Sequence, residues 1–148
     1  MVLVDTSVWI EVFRKSSRLD LESLVAFDDI MTCLPVVQEV LQGFDSQPAF
    51  TRAREAMLAF PVVESPLTVE VYEQAIELYR SGRRLGLTIR SSVDCLIGAC
   101  AIRHQLEVLH CDRDFDALAR VAPLRSRNVG KSAKGAKGAL SAKGTKGA

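Results

Sequence analysis

Two acidic side chains directly follow runs of residues that predict β-strands. Asp5 follows the run 2–4, and Asp112 follows the run 107–111. Ligands of open parallel sheets bind outside the carboxyl ends of the strands. Both carboxylates should therefore project toward the same edge of a sheet, where they could act on one ligand.

Two further acids lie near the predicted starts of helices. Asp94 is three residues after Ser91, and the two residues form the S-x-x-D pattern of a capping box. Glu39 lies about one turn after Pro35, a residue type favoured at the first position of a helix. Helices of α/β folds often begin at the edge where the preceding strand ends. The sequence therefore predicts that four carboxylates converge from four separate segments: Asp5, Glu39, Asp94 and Asp112.

A cluster of four carboxylates favours a divalent cation. Like charges repel when they are packed together, and a cation is the usual compensation. Ligand sets made of oxygen atoms favour Mg²⁺ or Mn²⁺. Taken singly, Asp94 would serve as a helix cap and Glu39 as a solvated helix residue. The shared edge is what favours a joint catalytic role.

Other common chemistries lack their sequence motifs. The chain has no G-x-G-x-x-G, Walker A or G-x-S-x-G segment. His104 falls on the apolar face of a predicted helix and His110 within a predicted strand, so both are predicted to lie in the core. The four cysteines show no C-x-x-C spacing, which predicts buried, reduced thiols rather than a zinc site or a disulfide.

The elements that would position the acids alternate along the chain. Apolar runs predict strands, and periodic apolar residues between them predict helices. The predicted strands are 2–4, 30–34, 61–64 and 107–111. The predicted helices begin near residues 6, 20, 35, 47, 68, 91 and 113, and the helix from 68 is predicted to end near Arg80 at Gly82 and Gly86. This alternation predicts a three-layer α/β/α fold with a mostly parallel central sheet.

Composition indicates one globular domain with a basic tail. The chain has 148 residues, of which 48% are hydrophobic and 25% charged. The net charge is +1, but five of the 19 basic residues are lysines in 130–148, which contains no acid. The other 14 face 18 acids in residues 1–129, a net charge of about −4. A basic nucleic-acid-binding domain is therefore excluded, and any contact with phosphate must start from an acidic centre.

The segment 130–148 differs in kind from the rest of the chain. It repeats Ala-Lys-Gly and offers nothing to bury, which predicts a disordered tail after a domain of residues 1–129. A native polybasic arm, a tether for RNA or DNA, and an added linker all fit this composition. The longest apolar run, 95–102, has eight residues, far short of the ~20 that a membrane span requires. With no recognisable signal peptide, the expected location is cytoplasmic.

In the order and spacing of its motifs, the chain resembles the PIN-domain ribonucleases, specifically the VapC-type toxins of bacterial toxin–antitoxin pairs. The resemblance covers residues 1 to about 129. The segments that carry it are VLVDTSVWI at 2–10, VQEVLQG at 37–43, IRSSVDCLIGA at 89–99 and HCDRDF at 110–115. No single motif is specific, whereas the four in this order are.

The resemblance implies a compact α/β/α fold and cleavage of RNA that depends on Mg²⁺ or Mn²⁺. It implies that Asp5, Glu39, Asp94 and Asp112 form the catalytic, metal-binding quartet, with Asp114 as an auxiliary metal ligand. Thr6 or Ser7 would orient Asp5 through a hydroxyl group. It also implies inhibition by a VapB-like antitoxin and a homodimer.

Four arginines are candidates for RNA contacts: Arg80, Arg83, Arg84 and Arg90. Arginines near the end of a helix can instead complement its dipole in solvent, and both interpretations stay open. Two alternatives to the toxin also remain. One is a PIN nuclease that acts in RNA processing or on DNA. The other is a non-catalytic RNA- or protein-binding module with a structural cation.

Overall fold

The computed structural model describes residues 1–17 and 19–130 of the chain. The strands are β1 (Val2–Val4), β2 (Ile30–Cys33), β3 (Val62–Val63), β4 (Glu107–His110) and β5 (Arg125–Asn128). The helices are α1 (Thr6–Phe13), α2 (Leu34–Leu41), α3 (Gln47–Leu58), α4 (Val69–Arg84), α5 (Ser92–Arg103) and α6 (Arg113–Leu118), and a short 3-10 helix spans Phe27–Asp29.

The five strands form one parallel sheet in the order β3-β2-β1-β4-β5. At the centre, Val4 of β1 lies opposite Leu109 of β4. The chain adds β2 and β3 on one side of β1 and then crosses over to add β4 and β5 on the other. This reversal creates a topological switch point at the carboxyl ends of β1 and β4, where α/β folds bind their ligands.

The helices pack in two groups. Helix α2 contacts α1 and α3, whereas α4, α5 and α6 all contact one another. Crossovers between parallel strands are right-handed, so the helices between β1 and β3 cover the opposite face of the sheet from those between β3 and β5. The three-layer α/β/α fold predicted from the sequence is therefore confirmed.

The central strands are buried on both faces. Leu3 and Val4 of β1 and Val108 and Leu109 of β4 are inaccessible to solvent. Strands covered on both faces read as continuous apolar runs rather than alternating ones. This packing fixes the carboxyl ends of β1 and β4, and with them the residues that follow.

Polar residues at the carboxyl edge of the sheet also begin helices. Asp5 caps α1, Ser91 caps α5 and Asp112 caps α6, each accepting a hydrogen bond from a backbone N–H of the first turn. Such caps satisfy N–H groups that have no partner within the helix. The predicted cap at Ser91 is confirmed, and two of the predicted functional acids turn out to be caps as well.

The end of α4 differs from the prediction. The helix continues to Arg84 instead of ending near Arg80. Gly82 lies inside it, and a Cβ atom at this position would collide with the side chain of Ile89. Gly86 has a φ of +71° and follows the end of the helix, as glycine in the left-handed region commonly does. Only the second glycine is therefore a helix terminator.

Two other elements differ from the prediction. The segment from Asp20 forms a single turn rather than a helix, since the N–H groups of Leu24 and Val25 bond the same carbonyl, that of Leu21, and the chain leaves this turn before the 3-10 helix at Phe27–Asp29. The sequence does not predict β5, because Arg-Ser-Arg-Asn contains no apolar residue. Its backbone nevertheless pairs with all four residues of β4. Backbone pairing at a sheet edge leaves no trace in a hydrophobic pattern.

One of the two histidines lies where the sequence does not place it. His110 is fully buried, as predicted. His104 is not in the core, since its side chain is 41% exposed and its Nε2 lies 3.1 Å from Oε1 of Glu64. Helix α5 ends at Arg103, so the helical periodicity that assigns His104 to the apolar face no longer applies there.

Parts of the prediction fall outside the described residues. The predicted basic tail is one of them, because residues 131–148 are not described. Arg18 is not described either. Cys33, Cys95 and Cys100 are buried free thiols, and Cys111 is half-buried. Among the helices in the described ranges, none is long and apolar enough to cross a membrane.

Candidate active site

Asp5 is held at the end of β1 by Ser7. Its Oδ2 atom accepts hydrogen bonds from the backbone N–H and the hydroxyl of Ser7, at 2.9 and 2.5 Å. The Ser7 hydroxyl oxygen also accepts a 2.9 Å hydrogen bond from the N–H of Cys111, which follows β4. The other oxygen of Asp5, Oδ1, is buried and has no hydrogen-bond partner among the described residues. Ser7 therefore fixes one oxygen of Asp5 and leaves the second available.

Thr6 brings Glu39 to the same edge. The Thr6 hydroxyl donates a 2.8 Å hydrogen bond to Oε2 of Glu39. Glu39 belongs to α2, which begins directly after β2, with Pro35 in its first turn. The family resemblance implies either Thr6 or Ser7 as the residue that orients Asp5. In the structure Ser7 contacts Asp5, whereas Thr6 contacts Glu39.

Asp94 lies in the first turn of α5. Its backbone N–H donates to the hydroxyl of Ser91 at 3.2 Å, so its cap interaction uses the backbone and leaves the carboxylate free of it. The side chain is 7% exposed, and its Oδ2 atom is buried with no hydrogen-bond partner within residues 1–17 and 19–130. The simpler interpretation, a carboxylate that only caps its helix, does not describe this geometry.

Asp112 and Asp114 are bridged by Arg90. The guanidinium group donates from Nη2 to Asp112 at 2.7 Å and from Nε to Asp114 at 3.1 Å. Asp114 also accepts hydrogen bonds from the backbone N–H groups of Arg90 and Ser91, at 2.8 and 3.1 Å. Both oxygens of Asp114 therefore have donors in this state. Its observed contacts anchor the segment before α5 to the start of α6.

Burial and mutual repulsion raise the pKa values of the two central acids. Burial raises the pKa of Asp5 to about 6, although the hydrogen bonds from Ser7 oppose this effect. Burial, together with the charges of Asp5, Asp112, Asp114 and Glu39, raises the pKa of Asp94 to about 8. A carboxylate with this pKa binds a proton near neutrality unless another positive charge arrives. A divalent cation would reverse the field and favour the ionised form.

The oxygen atoms present suit a hard divalent cation. Asp94, Asp112 and Asp114 each offer an oxygen within 4.8 Å of the others. The buried Oδ1 of Asp5 and Oδ2 of Asp94 lack hydrogen-bond donors among the described residues, and such atoms are costly unless something pairs with them. Carboxylate oxygens are the ligands that Mg²⁺ and Mn²⁺ prefer. The residues therefore fit such an ion.

The four candidate arginines lie in two places. Arg90 contacts the acidic cluster directly, whereas the other three lie near the end of α4. Arg84 forms a salt bridge with Glu77, and Arg83 lies over the ring of Tyr79 at 6.0 Å. The role of Arg90 as a bridge between two aspartates is not evident from the sequence. The only sequence signal that could have indicated this bridge is the pattern Asp-x-Asp at 112–114 together with Arg90 directly before the capping residue Ser91.

Comparison with known proteins identifies the family of the chain. The family model for the PIN domain matches residues 2–121. Ribonuclease VapC11 of Mycobacterium tuberculosis is 34% identical over 131 residues, which cover 85% of this chain and 97% of that protein. Ribonuclease VapC51 of the same organism is 30% identical over 119 residues, covering 80% of this chain and 85% of the relative.

Solved structures share the fold. The VapBC2 structure from Rickettsia felis, bound to a DNA fragment from its promoter, matches with a TM-score of 0.69 and 16% identity over 86% of this chain and 98% of the matched one. FitAcB from Neisseria gonorrhoeae matches with a TM-score of 0.67 and 19% identity, covering 86% and 97%. Because a PIN-domain model spans most of the chain and relatives match it at 30–34% identity, this chain belongs to the PIN-domain family, and its relatives there are VapC ribonucleases.

Proposed function

We propose that this protein is a metal-dependent endoribonuclease toxin that hydrolyses RNA phosphodiester bonds and is inhibited by a VapB-like antitoxin. One observation carries the site assignment. Two carboxylate oxygens, Oδ1 of Asp5 and Oδ2 of Asp94, are buried at the switch point of the sheet without hydrogen-bond donors from the described residues. Family membership supports the reaction, and the acidic cluster supports the place where it occurs.

The proposed metal ligands are Asp5 and Asp94, with Glu39 and Asp112 completing the catalytic quartet. Asp114 is an auxiliary ligand that would exchange part of its contact with Arg90. Bound Mg²⁺ or Mn²⁺ supplies Lewis acidity toward water and toward the phosphate oxygens. Hydrolysis by water needs no 2′-hydroxyl nucleophile and no histidine, in agreement with the lack of a histidine within the described acidic cluster.

The remaining polar residues position the quartet. Ser7 holds Oδ2 of Asp5 and leaves the buried Oδ1 available, and Thr6 holds Glu39. Arg90 neutralises part of the charge on Asp112 and Asp114 and keeps them beside Asp94. These contacts fix the acids before any substrate binds, which is how preorganised sites lower a reaction barrier.

RNA must approach an acidic body, so it needs cations outside the quartet. Arg80, Arg83, Arg84 and Arg90 are the proposed phosphate contacts. The first three are exposed near the end of α4. We also expect two copies to associate, and we expect the protein to act on RNA in the cytoplasm.

The antitoxin is expected to block the site with charge. A lysine or arginine placed near Asp5 and Asp94 would satisfy the two unpartnered oxygens and compete with the cation. A structure of the complex should show such a side chain at this edge. A complex that blocks cleavage while leaving the edge open contradicts this expectation.

The nuclease assignment is tested by cleavage assays with purified protein. RNA should be cleaved with Mg²⁺ or Mn²⁺ and left intact in EDTA, while a DNA substrate of the same sequence distinguishes a deoxyribonuclease. Asp94→Asn should slow cleavage about 100-fold or more, whereas Asp45→Asn, at an exposed acid outside the cluster, should leave the rate unchanged. Undiminished cleavage in EDTA, once a contaminating nuclease is excluded, would falsify the metal-dependent assignment. If the protein binds RNA but never cleaves it, the non-catalytic alternative holds.

A further inference from the structure

The acidic cluster of the candidate active site carries more negative charge than the described residues neutralise. Its five carboxylates belong to Asp5, Glu39, Asp94, Asp112 and Asp114. Within residues 1–17 and 19–130, Arg90 is the only basic side chain that forms a salt bridge with any of them. The side chains of Asp5 and Asp94 are 2 and 7% exposed, and each keeps one buried oxygen without a donor among the same residues. The cluster therefore attracts any further cation that can reach it.

The cluster is accessible from solvent through two of its members. Asp112 and Glu39 are half-buried, whereas the other three acids are buried. Asp112 also offers an oxygen within 4.8 Å of one from Asp94. A positive charge that arrives from solvent and pairs with Asp112 therefore acts on the buried acids as well.

The described part of the chain ends beside this cluster. Strand β5 runs parallel to β4, so both strands end at the carboxyl edge of the sheet. The N–H of Val129, which follows β5, bonds the carbonyl of His110 at 2.8 Å. A Cβ atom on Gly130 would lie 3.3 Å from Cβ of Cys111. The residues after Gly130 therefore leave the domain at the edge that holds the acids.

A series of close contacts links Gly130 to Asp5. The N–H of Cys111 donates to the Ser7 hydroxyl at 2.9 Å, and that hydroxyl donates to Oδ2 of Asp5 at 2.5 Å. With standard bond lengths, these contacts place Cα of Gly130 no more than about 12 Å from Oδ2 of Asp5. Asp112 directly follows Cys111 in the chain. Both carboxylates therefore lie close to the point where the described chain ends.

The chain beyond Gly130 carries the charge that the cluster lacks, since it contains five lysines and no acid. Lys131 and Lys134 are one and four residues after Gly130. A chain extends by at most about 3.6 Å per residue, so their Cα atoms lie within about 14 Å of Gly130. The four-carbon stem of lysine adds to this reach. Lys143 and Lys146 follow much later in the chain, and covalent geometry does not hold them near the cluster.

We infer that Lys131 and Lys134 bind the acidic cluster of the metal-free protein and compete there with the divalent cation. Because the contact is intramolecular, the effective concentration of the lysines at the cluster is high. The competition is reciprocal: a cation that enters the cluster releases the lysines by the same factor by which they weaken its affinity. The released lysines are then available to RNA. The inference rests on the proposed function for the identity of the competing cation, whereas the contact between lysine and carboxylate does not require cleavage.

The first test is the Mn²⁺ affinity of the full-length protein, measured at low salt from the electron paramagnetic resonance signal of free Mn²⁺. Lys131→Gln/Lys134→Gln should bind Mn²⁺ about 5-fold more tightly than the wild type, because the competitor is removed. Lys143→Gln/Lys146→Gln removes the same charge further along the chain and should stay within about 2-fold of the wild type, because remote exposed charges are screened. Melting with saturating Mg²⁺ checks that both variants fold.

The second test detects the contact itself. A water-soluble carbodiimide joins an amine to a carboxylate only where the two groups touch. In the metal-free wild type, mass spectrometry of the digested protein should find Lys131 or Lys134 joined to Asp112 or Glu39. Saturating Mg²⁺ should suppress these crosslinks. The lysines further along the chain serve as the internal control and should not form them.

Three results overturn the inference. They are equal Mn²⁺ affinities of the wild type and Lys131→Gln/Lys134→Gln, an equal gain in the two double variants, and a metal-free protein without the crosslinks. Failure of the proposed function gives a different result. If no form of the protein binds Mn²⁺, the proposed metal site is wrong and the competition with it, while the crosslinks still decide whether the lysines contact the acids.

Discussion

At the scale of single residues, Asp94 is in an environment that opposes its own charge. It lies in the first turn of α5, where the helix dipole favours a carboxylate, yet burial and four neighbouring acids oppose ionisation. These opposing influences suit a metal ligand, because a bound cation removes the repulsion while the helix start keeps the side chain in place. The repulsion among the acids therefore lowers the stability of the metal-free protein, which a melting experiment can measure.

The first prediction concerns Asp94→Asn. The amide keeps the shape of the side chain but removes one charge and one anionic ligand, so cleavage should fall about 100-fold or more. The melting temperature of the metal-free protein should be unchanged or higher, because the substitution relieves repulsion among the carboxylates of the cluster. Retained cleavage together with a lowered melting temperature would mean that Asp94 is only a helix cap.

The same residue predicts how stability depends on pH. Burial raises the pKa of Asp94 from 3.8 to about 8, so the folded protein binds this proton more tightly than the unfolded chain does. The contribution of this proton to the free energy of unfolding is fully present below about pH 4. It is lost as the pH rises through 8. Between pH 6 and pH 8 the metal-free protein should lose at least about 1 kcal/mol. Asp94→Asn should flatten this decline, and saturating Mg²⁺ should oppose it in the wild type alone. An equally steep decline in the variant would contradict the assignment.

Arg90 is the second residue whose role can be tested singly. Arg90→Gln removes the donors to Asp112 and Asp114, so repulsion among the acids should increase. We expect a lower melting temperature without metal and about 10-fold slower cleavage, with Arg90→Lys intermediate because it keeps the charge but loses the planar fork. Arg54→Gln, an exposed change on α3, is the matched control. If Arg90→Gln cleaves RNA normally, Arg90 neither positions the acids nor binds substrate.

At the scale of elements, the packing of α4 against the segment before α5 sets the position of the site. Gly82 allows Ile89 to approach the backbone of α4, and the adjacent Arg90 then reaches the start of α6. Gly86 turns the chain between them with its positive φ. A change in this packing should therefore alter the acidic cluster without touching it.

The fourth prediction is Gly82→Ala. Alanine favours a helix, but its methyl group would collide with the Ile89 side chain, and the overpacking should cost about 1–3 kcal/mol. Ile89→Val removes the terminal methyl group that makes the collision. The double variant Gly82→Ala/Ile89→Val should therefore be more stable than the two single changes predict when added, as chemical unfolding can measure. Simple additivity would show that the two residues do not compete for space.

At the scale of the whole molecule, charge is divided between two parts of the chain. Residues 1–129 carry about −4, and the five lysines of 130–148 supply the positive charge that offsets it. An acidic body would repel RNA at a distance, whereas a basic segment attached to it would attract RNA. Attraction of RNA is therefore the property that distinguishes a tether from an added linker at this segment.

The fifth prediction is that truncation after Gly130 weakens RNA binding and flattens its dependence on salt. For each phosphate that the truncated protein no longer neutralises, the slope of log affinity against log salt should fall by about 0.7 for single-stranded RNA. The melting temperature of the truncated protein serves as the control and should not change. An unchanged salt slope would identify the lysine-rich segment as a linker with no part in binding.

The fold was largely predictable because its signals are local. Buried parallel strands read as short apolar runs, as at 2–4 and 107–111, and capping residues such as Ser91 mark helix starts. β5 could not be predicted, because its side chains are polar and its pairing depends on backbone groups alone. The true end of α4 also escaped prediction, since a glycine required for close packing looks the same in sequence as one that ends a helix.

The sequence by itself determined which acids follow strands and begin helices, and therefore that Asp5, Glu39, Asp94 and Asp112 could meet at one edge. Only the tertiary structure decided how they meet. It assigned Ser7 to Asp5 and Thr6 to Glu39, placed Arg90 between Asp112 and Asp114, and left one buried oxygen of Asp5 and one of Asp94 without a donor among the described residues. The physical reason is range. Strand and helix signals depend on neighbours in sequence, whereas the contacts of Arg90 with Asp112, of Thr6 with Glu39 and of Cys111 with Ser7 join groups 22, 33 and 104 residues apart in the chain.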